Sequence, residues 1–71
     1  MFNRKKFHGQ VIEKGFTLDE IANKIGVNPA TLYRKMSGES DFSRKEIQDI
    51  SAVLRLSDED IMLIFFADEL T

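Results

Sequence analysis

Apolar residues recur along the chain at the three- and four-residue spacing of amphipathic helices, and no segment alternates apolar and polar residues as a strand does. This pattern predicts five helices, at about residues 4–14, 18–25, 29–37, 44–54 and 58–67. The positions expected to form the core share this spacing: Phe7, Val11, Ile12, Leu18, Ile21, Ala22, Ile25, Leu32, Met36, Ile47, Ile50, Val53, Leu54, Ile61, Ile64 and Phe65. The pattern therefore predicts an all-α fold, with residues 1–71 forming a single domain around one core.

Helix starts are marked by capping residues with apolar neighbours. In a capping box, a Ser or Thr side chain accepts a hydrogen bond from the backbone amide three residues later, and a Glu at that position bonds back to the cap. Asn is an equally good cap, and Pro suits the first helical position because the amide it lacks has no partner there. The predicted starts are Thr17 with Glu20, Ser43 with Glu46, Ser57 with Asp60, and Asn28 with Pro29. Gly15, Gly26 and Gly38 each follow a predicted helix, where glycine closes the last turn without steric cost.

The segment from Thr17 to Gly38 reads TLDEIANKIGVNPATLYRKMSG, which predicts two short helices joined by a sharp turn. Ala22 is small where the two helices approach closely, and Gly26 ends the first of them. Val27 and Leu32 then anchor the second helix on the core. With these residues the segment resembles the helix-turn-helix of Cro and the phage repressors, the XRE-like family, whose usual size is also five helices in about 65 residues.

The resemblance implies that the second helix of the motif lies in the DNA major groove. Residues at its start would then face base edges: Asn28, Pro29, Ala30, Thr31, Tyr33 and Arg34. Arg34 is the best direct reader, because its planar fork can donate two hydrogen bonds to guanine O6 and N7. Ala30 and Thr31 can touch a thymine methyl group, and Tyr33 is expected to contact either phosphate or a base, or else to cover the core.

Phosphate contacts are expected from a second group of residues. Thr17 begins the first helix of the motif, where its hydroxyl and the neighbouring amides can hold a phosphate, although capping explains it equally well. Lys5, Lys6 and Lys35 would add sequence-independent attraction. The resemblance thus implies a sequence-specific regulator that binds double-stranded operator DNA and controls a phage lysis–lysogeny switch.

Three positions depart from the family pattern. Many members have polar residues where this chain has Leu18, Pro29 and Ala30, so its groove-facing surface is less polar. Such a surface on an acidic protein also suits a protein partner. The alternative function is therefore an antirepressor or modulator, which binds another phage repressor and alters or masks its DNA binding.

Charge is divided unevenly along the chain. The net charge is −2, but residues 1–38 carry +4 and residues 39–71 carry −6. Such asymmetry is typical of a protein in which one half contacts a polyanion, and it also arises from an ordinary mixed solvated surface.

The last predicted helix, IMLIFFADEL, is apolar on almost every side. If Ile61, Ile64 and Phe65 face the core, other apolar residues remain: Met62, Leu63 and Phe66. They would either pack under the N-terminal arm, which carries Met1 and Phe2, or form an intermolecular patch. We favour the patch, because repressors of this kind pair to read two half-sites, and we expect a homodimer.

Other functions find little support in the composition. The chain has no cysteine and one histidine, His8, so we expect no catalytic, metal or cofactor site and no enzymatic activity. The longest apolar run, residues 61–67, is far shorter than the roughly 20 residues of a transmembrane helix, and no signal-peptide pattern is present. We therefore expect a cytoplasmic protein of a bacterial host cell.

Overall fold

The computed structural model describes residues 2–67, and within that range it contains five helices and no strand. The helices are α1 (Arg4–Glu13), α2 (Leu18–Lys24), α3 (Pro29–Met36), α4 (Arg44–Leu54) and α5 (Asp58–Phe65). The predicted all-α, five-helix fold is confirmed. Four helices end one or two residues earlier than predicted; at the ends of α1, α2 and α3 the residue predicted to be last is the cap itself.

Side-chain caps begin every one of these helices. The predicted caps Thr17, Ser43 and Ser57 each accept a hydrogen bond of 3.1 Å from the amide three residues later. Glu20 and Glu46 complete the two predicted capping boxes, whereas Asp60 makes no return bond to the cap of α5. A further cap at α1, Asn3, was not among the predicted starts; its side chain accepts from the Lys6 amide at 3.0 Å. Local sequence therefore determines where each helix begins.

In the described part of the chain the core is formed by ten buried apolar side chains, all at predicted positions: Phe7, Val11, Ile21, Ala22, Ile25, Leu32, Met36, Ile50, Leu54 and Ile64. Other predicted core residues are only partly buried, among them Leu18, Val53 and Phe65, which pack against this cluster. The prediction is wrong at Ile12, which is 64% exposed. Phe7 and Val11, four residues apart, define the face of α1 that is turned to the core, and Ile12 lies on the solvent side of that face.

The N-terminal arm packs against α1, α5 and the segment before α4. The Phe2 ring lies 5.2 Å from Phe7, 4.8 Å from Phe42 and 5.5 Å from Phe65, measured between ring centroids. The Asn3 amide donates to the carbonyl oxygen of Ile64 at 2.7 Å. These contacts place Phe65, which was predicted to face the core, against the arm; the expectation of packing under the arm concerned Met62, Leu63 and Phe66, and Met1 lies outside the described residues.

The end of α4 differs from the glycine-closed ends predicted elsewhere. Gly15, Gly26 and Gly38 have positive φ, as predicted, but Arg55 closes α4 with a φ of 52°. A left-handed conformation costs a non-glycine residue about 1–2 kcal/mol, so the surrounding contacts must hold Arg55 in place. Its amide donates to the carbonyl of Ala52 at 3.3 Å. This turn leads into α5, which packs against α1.

Candidate DNA-binding surface

The sharp turn between α2 and α3 forms as the sequence predicts. Gly26 adopts a φ of 80°, and the Val27 amide donates to the carbonyl of Ala22 at 3.0 Å, which closes the end of α2. Ala22 and Leu32 are both fully buried, one on each helix of the motif. The absence of a large side chain at Ala22 lets the two helices pack directly against each other.

The start of α3 is fixed by its cap. The Asn28 side-chain oxygen accepts from the Thr31 amide at 2.8 Å, and Pro29 occupies the first helical position. Asn28 and Pro29 are both exposed, as is Ala30. Capping uses the carbonyl end of the Asn28 amide group, which leaves its NH₂ group able to donate to a ligand.

One face of α3 is exposed along its whole length. We call the exposed residues on this face, together with the exposed C-cap residue that continues it, the recognition stripe; they are Ala30, Tyr33, Arg34 and Ser37. Their i, i+3, i+4 and i+7 spacing puts them on one side of the helix, while Leu32 and Met36 are buried on the other. Arg34 Nη2 donates to Thr31 Oγ1 at 3.3 Å, so the guanidinium lies along the helix surface toward the N-terminus of α3.

Tyr33 makes a contact that the sequence did not reveal. Its hydroxyl donates to Asp19 Oδ1 at 3.1 Å, which links the second turn of α3 to the first turn of α2. This hydrogen bond raises the pKa of Tyr33, and partial desolvation and the negative charge of Asp19 add to the effect. The ring remains 44% exposed and borders a hollow that Ile12 and Leu18 also line.

Lys35 has other partners and turns away from the recognition stripe. Its ammonium lies 3.0 Å from Glu46 Oε1 and donates to the carbonyl of Asp41 at 2.8 Å, and its side chain is only 13% exposed. It therefore joins α3 to the start of α4. A phosphate would have to compete with these two partners for an ammonium on a largely buried side chain, which makes this predicted DNA contact less favourable.

The Glu46 carboxylate accepts hydrogen bonds from the Ser43 amide and from the Lys35 ammonium. Burial alone would raise the pKa of this carboxyl, but hydrogen bonds from Ser43 and the ion pair with Lys35 outweigh burial and leave the pKa below its ordinary value. A lowered carboxyl pKa contributes stability that is present above the ordinary pKa and is lost as the pH falls through the folded-state pKa.

We expect Glu46→Gln to lower the thermal midpoint at neutral pH, because the variant keeps a hydrogen-bond acceptor but loses the charge that pairs with Lys35. The difference from the parent should shrink as the pH falls below the ordinary glutamate pKa of about 4.3. Thermal unfolding followed by circular dichroism over this pH range measures it. A difference that stays constant with pH would contradict the assignment.

The two lysines of α1 differ in position. Lys5 is exposed and precedes His8 by three residues, so it shares the face of α1 that borders the hollow beside Tyr33. Lys6 is half-buried and lies on a neighbouring face. Thr17 is exposed, and its amide and hydroxyl are both used in the capping box of α2.

The predicted interface residues lie on α5 and just after it. Met62 is 36% exposed, and Leu63 and Phe66 are half-buried. Phe66 also lines a groove of about 620 Å³ between α4 and α5, which we call the α4/α5 groove; Ile47 and Ile61 lie in its wall.

Sequence reasoning missed one residue of the recognition stripe and one residue beside it. Ser37 is exposed three residues after Arg34, and its hydroxyl donates to the Arg34 carbonyl at 3.0 Å; helical spacing alone could have included it. Asp19 was missed because its bond to Tyr33 depends on the angle between α2 and α3. No single-sequence pattern encodes that angle.

Among residues 2–67, no helix is long and apolar enough to cross a membrane, and no group of three or more acidic or histidine side chains is placed to hold a metal ion.

Comparison with known families agrees with the geometry. A sequence model described as helix-turn-helix matches residues 10–61, from within α1 to the first half of α5, and therefore includes the whole α2–α3 motif. No individual curated protein matches the chain. The family match covers more than half of the sequence. The chain therefore belongs to the XRE-type helix-turn-helix family, which is Cro- and repressor-like, and it is a DNA-binding regulator of that type.

Proposed function

We propose that the chain regulates transcription by binding an operator sequence-specifically, with α3 in the major groove. The observation that carries this proposal is the recognition stripe: one face of α3 is exposed over its full length, while Leu32 and Met36 on the opposite face are buried in the core. A helix held in this way can enter a groove about 12 Å wide without disturbing the fold.

Within the stripe, Arg34 is the proposed reader of guanine. Its fork can present two donors in one plane, and the bond to Thr31 orients it before DNA arrives. Ala30 is exposed one turn earlier, where its methyl group can contact a thymine methyl. Thr31, Asn28 and Pro29 complete the proposed contacts at the start of α3.

Phosphate contacts are proposed for fewer residues than the sequence indicated. Lys5 is exposed and free of the ion pairs seen elsewhere in residues 2–67, and the Thr17 hydroxyl retains its hydrogen for a phosphate oxygen because it acts only as an acceptor in the capping box. We leave Lys35 out because of its contacts with Glu46 and Asp41. Lys6 has less exposed surface to offer.

We further propose that two copies pair through the α4/α5 groove, which Phe66 lines, and that Met62 and Leu63, which follow Ile61 on α5, extend the contact. Arg44 lines this groove and begins α4, whereas the acidic start of α5, residues 58–60, follows the other end of α4. In a two-fold symmetric pair the same surface meets itself, so one end of the groove can lie against the other end in the partner. Arg44 of each copy would then face the acidic turn of its partner, which complements the apolar contact electrostatically.

The finer regulatory role, control of a phage lysis–lysogeny switch, is supported by the likeness to Cro and phage repressors. The antirepressor alternative has less support. It would bury Pro29, Ala30 and Tyr33 together with Met62 or Phe66 against one partner, but Tyr33 borders a hollow toward α1 and Phe66 borders the groove toward α4. The acidic second half of the chain is what favours it, because such a surface could cover a basic DNA-binding face.

In vitro selection from a randomised duplex library tests the proposed function. We expect the full chain to recover one preferred sequence with two inverted half-sites whose centres are about 10 base pairs, or one duplex turn, apart. Affinity should fall steeply as salt rises, because phosphate contacts release counterions. Recovery of a single half-site would contradict the dimer, and recovery of no preferred sequence would contradict the sequence-specific role. Tight binding to a co-encoded repressor together with weak DNA binding would instead support the antirepressor.

A further inference from the structure

The hydrogen bond between Tyr33 and Asp19 joins the two helices of the DNA-binding motif. It is the one side-chain hydrogen bond between α2 and α3 within residues 2–67, and it spans 14 positions of sequence. Beneath it, Ala22 and Leu32 are buried in the same interface. Apolar packing of this kind sets the distance between helices, but it is non-directional. A hydrogen bond requires a particular distance and angle, so it can also limit the rotation of α3 about its own axis.

The rotation of α3 about its own axis determines where the side chains proposed to contact base edges point. Tyr33 and Arg34 are neighbours in the recognition stripe, so a rotation that moves the tyrosine hydroxyl away from Asp19 also turns the Arg34 guanidinium relative to the groove. Direct readout needs donors placed within hydrogen-bond geometry of a base edge. Loss of the Tyr33 contact should therefore affect the choice of sequence more than the overall attraction to DNA.

The hydroxyl of Tyr33 is already occupied in the protein without DNA, which makes Tyr33 a poor direct reader. Its ring lies beside Leu18 and Ile12 at the edge of the hollow, so the side chain leans toward α1 and α2. Asp19 is an acidic group close to the proposed DNA surface, where a bare carboxylate would repel phosphates. A role for this carboxylate as an acceptor for Tyr33 explains its presence there.

We propose, resting on the function proposed above, that Asp19 is a positioning residue for operator recognition: by accepting the hydrogen bond from Tyr33 it fixes the orientation of α3 and thereby the reading geometry of Arg34. Asp19 acts through Tyr33 and does not itself touch a base. The contact improves discrimination between sequences, while attraction to DNA of any sequence comes from other residues.

The contact itself can be measured without DNA. Tyr33 is the only tyrosine and the chain has no tryptophan, so alkaline titration of the ultraviolet absorbance reports on this hydroxyl alone. Because Asp19 raises the pKa of Tyr33, we expect Asp19→Ala to lower the titration midpoint. His8 is the other titratable side chain lining the hollow, and His8→Gln is the control that should leave the midpoint unchanged. Equal midpoints for the parent protein and Asp19→Ala would overturn the contact.

The role is tested by comparing the selected duplex with a scrambled duplex of equal length. We expect Tyr33→Phe and Asp19→Ala each to reduce the ratio of the two affinities by about threefold to tenfold, the range of the net contribution of an ordinary solvent-accessible hydrogen bond. The double variant should do no worse than either single one, because both remove the same contact. Asp19→Asn should retain most of the ratio, since it keeps an acceptor oxygen.

A matched control separates positioning from charge. Glu39→Gln removes one exposed carboxylate just beyond the other end of α3, and it should raise the affinity for both duplexes alike without changing their ratio. Circular dichroism confirms that each variant is folded. An unchanged ratio in Tyr33→Phe, with the shifted titration in Asp19→Ala, would overturn the positioning role while leaving the contact in place. If the parent protein bound the selected and the scrambled duplex equally well, the proposed function and the positioning role of Asp19 would both be overturned. The alkaline titration would still show whether the hydrogen bond between Tyr33 and Asp19 forms.

Discussion

Replacing Leu32 with alanine is expected to cost about 3 kcal/mol of the free energy of unfolding, and so to lower the thermal midpoint by roughly 12–24 °C. Leu32 is fully buried in the interface between α2 and α3. Truncation removes its apolar surface from the core and leaves a cavity that the short helices cannot readily close. A chain of this size has a total stability of only about 5 kcal/mol, so one such cavity takes most of it. Chemical denaturation followed by circular dichroism measures the loss.

Ile12→Ala is the matched control for this experiment. Ile12 is also a large apolar residue on a helix, but it is 64% exposed, and a change there should alter the stability by no more than about 0.5 kcal/mol. A loss at Ile12 as large as the loss at Leu32 would mean that α1 packs through a different face. A loss of less than about 1 kcal/mol at Leu32 would contradict its place in the core.

Local rules allowed most of the fold to be predicted. Helix starts depend on a side chain and an amide three residues away, so Thr17, Ser43 and Asn28 could be recognised from sequence alone. The predicted helix ends were less accurate than the predicted starts, because the last helical residue and the C-cap residue that follows it differ only in their backbone angles. Arg55 could not be predicted at all: nothing in its residue type favours the left-handed conformation that closes α4.

The candidate site was predictable only in part, because side-chain direction decides it. Arg34 and Lys35 are adjacent and both cationic, and the sequence gives no sign of which one faces outward. In the structure Arg34 is exposed, whereas Lys35 pairs with Glu46 across the loop that joins α3 to α4. That pairing depends on how the loop folds, which no motif in the sequence encodes.

The three apolar positions that depart from the family pattern have different environments in the structure. Leu18 is half-buried and packs against the core, so it replaces a polar side chain with one that stabilises α2. Pro29 and Ala30 remain exposed at the start of α3 and can only offer apolar contacts. If α3 enters the major groove as proposed, discrimination by hydrogen bonds is therefore expected to fall chiefly on the polar residues further along the recognition stripe, and on Arg34 above all.

Arg34→Ala is expected to weaken binding to the selected duplex by about 1–3 kcal/mol, equivalent to about fivefold to 150-fold in affinity, with little change in the thermal midpoint. The side chain is exposed and its one hydrogen bond, to Thr31, is long, so the core does not depend on it. Fluorescence anisotropy with labelled duplexes measures the affinity, and substitution of the guanine opposite Arg34 should cost the parent protein a similar amount.

Two further variants separate the effect of losing the planar guanidinium of Arg34 from the effect of losing its positive charge. Arg34→Lys keeps the positive charge but cannot donate two hydrogen bonds in one plane, so it should lose most of the discrimination while binding the scrambled duplex as the parent protein does. Lys5→Ala should weaken binding to both duplexes alike and flatten the salt dependence by about one unit of log–log slope, because a phosphate contact carries no sequence information. If Arg34→Ala lowered both affinities equally, Arg34 would be a phosphate contact like Lys5, and the reading of bases would have to come from elsewhere on the recognition stripe.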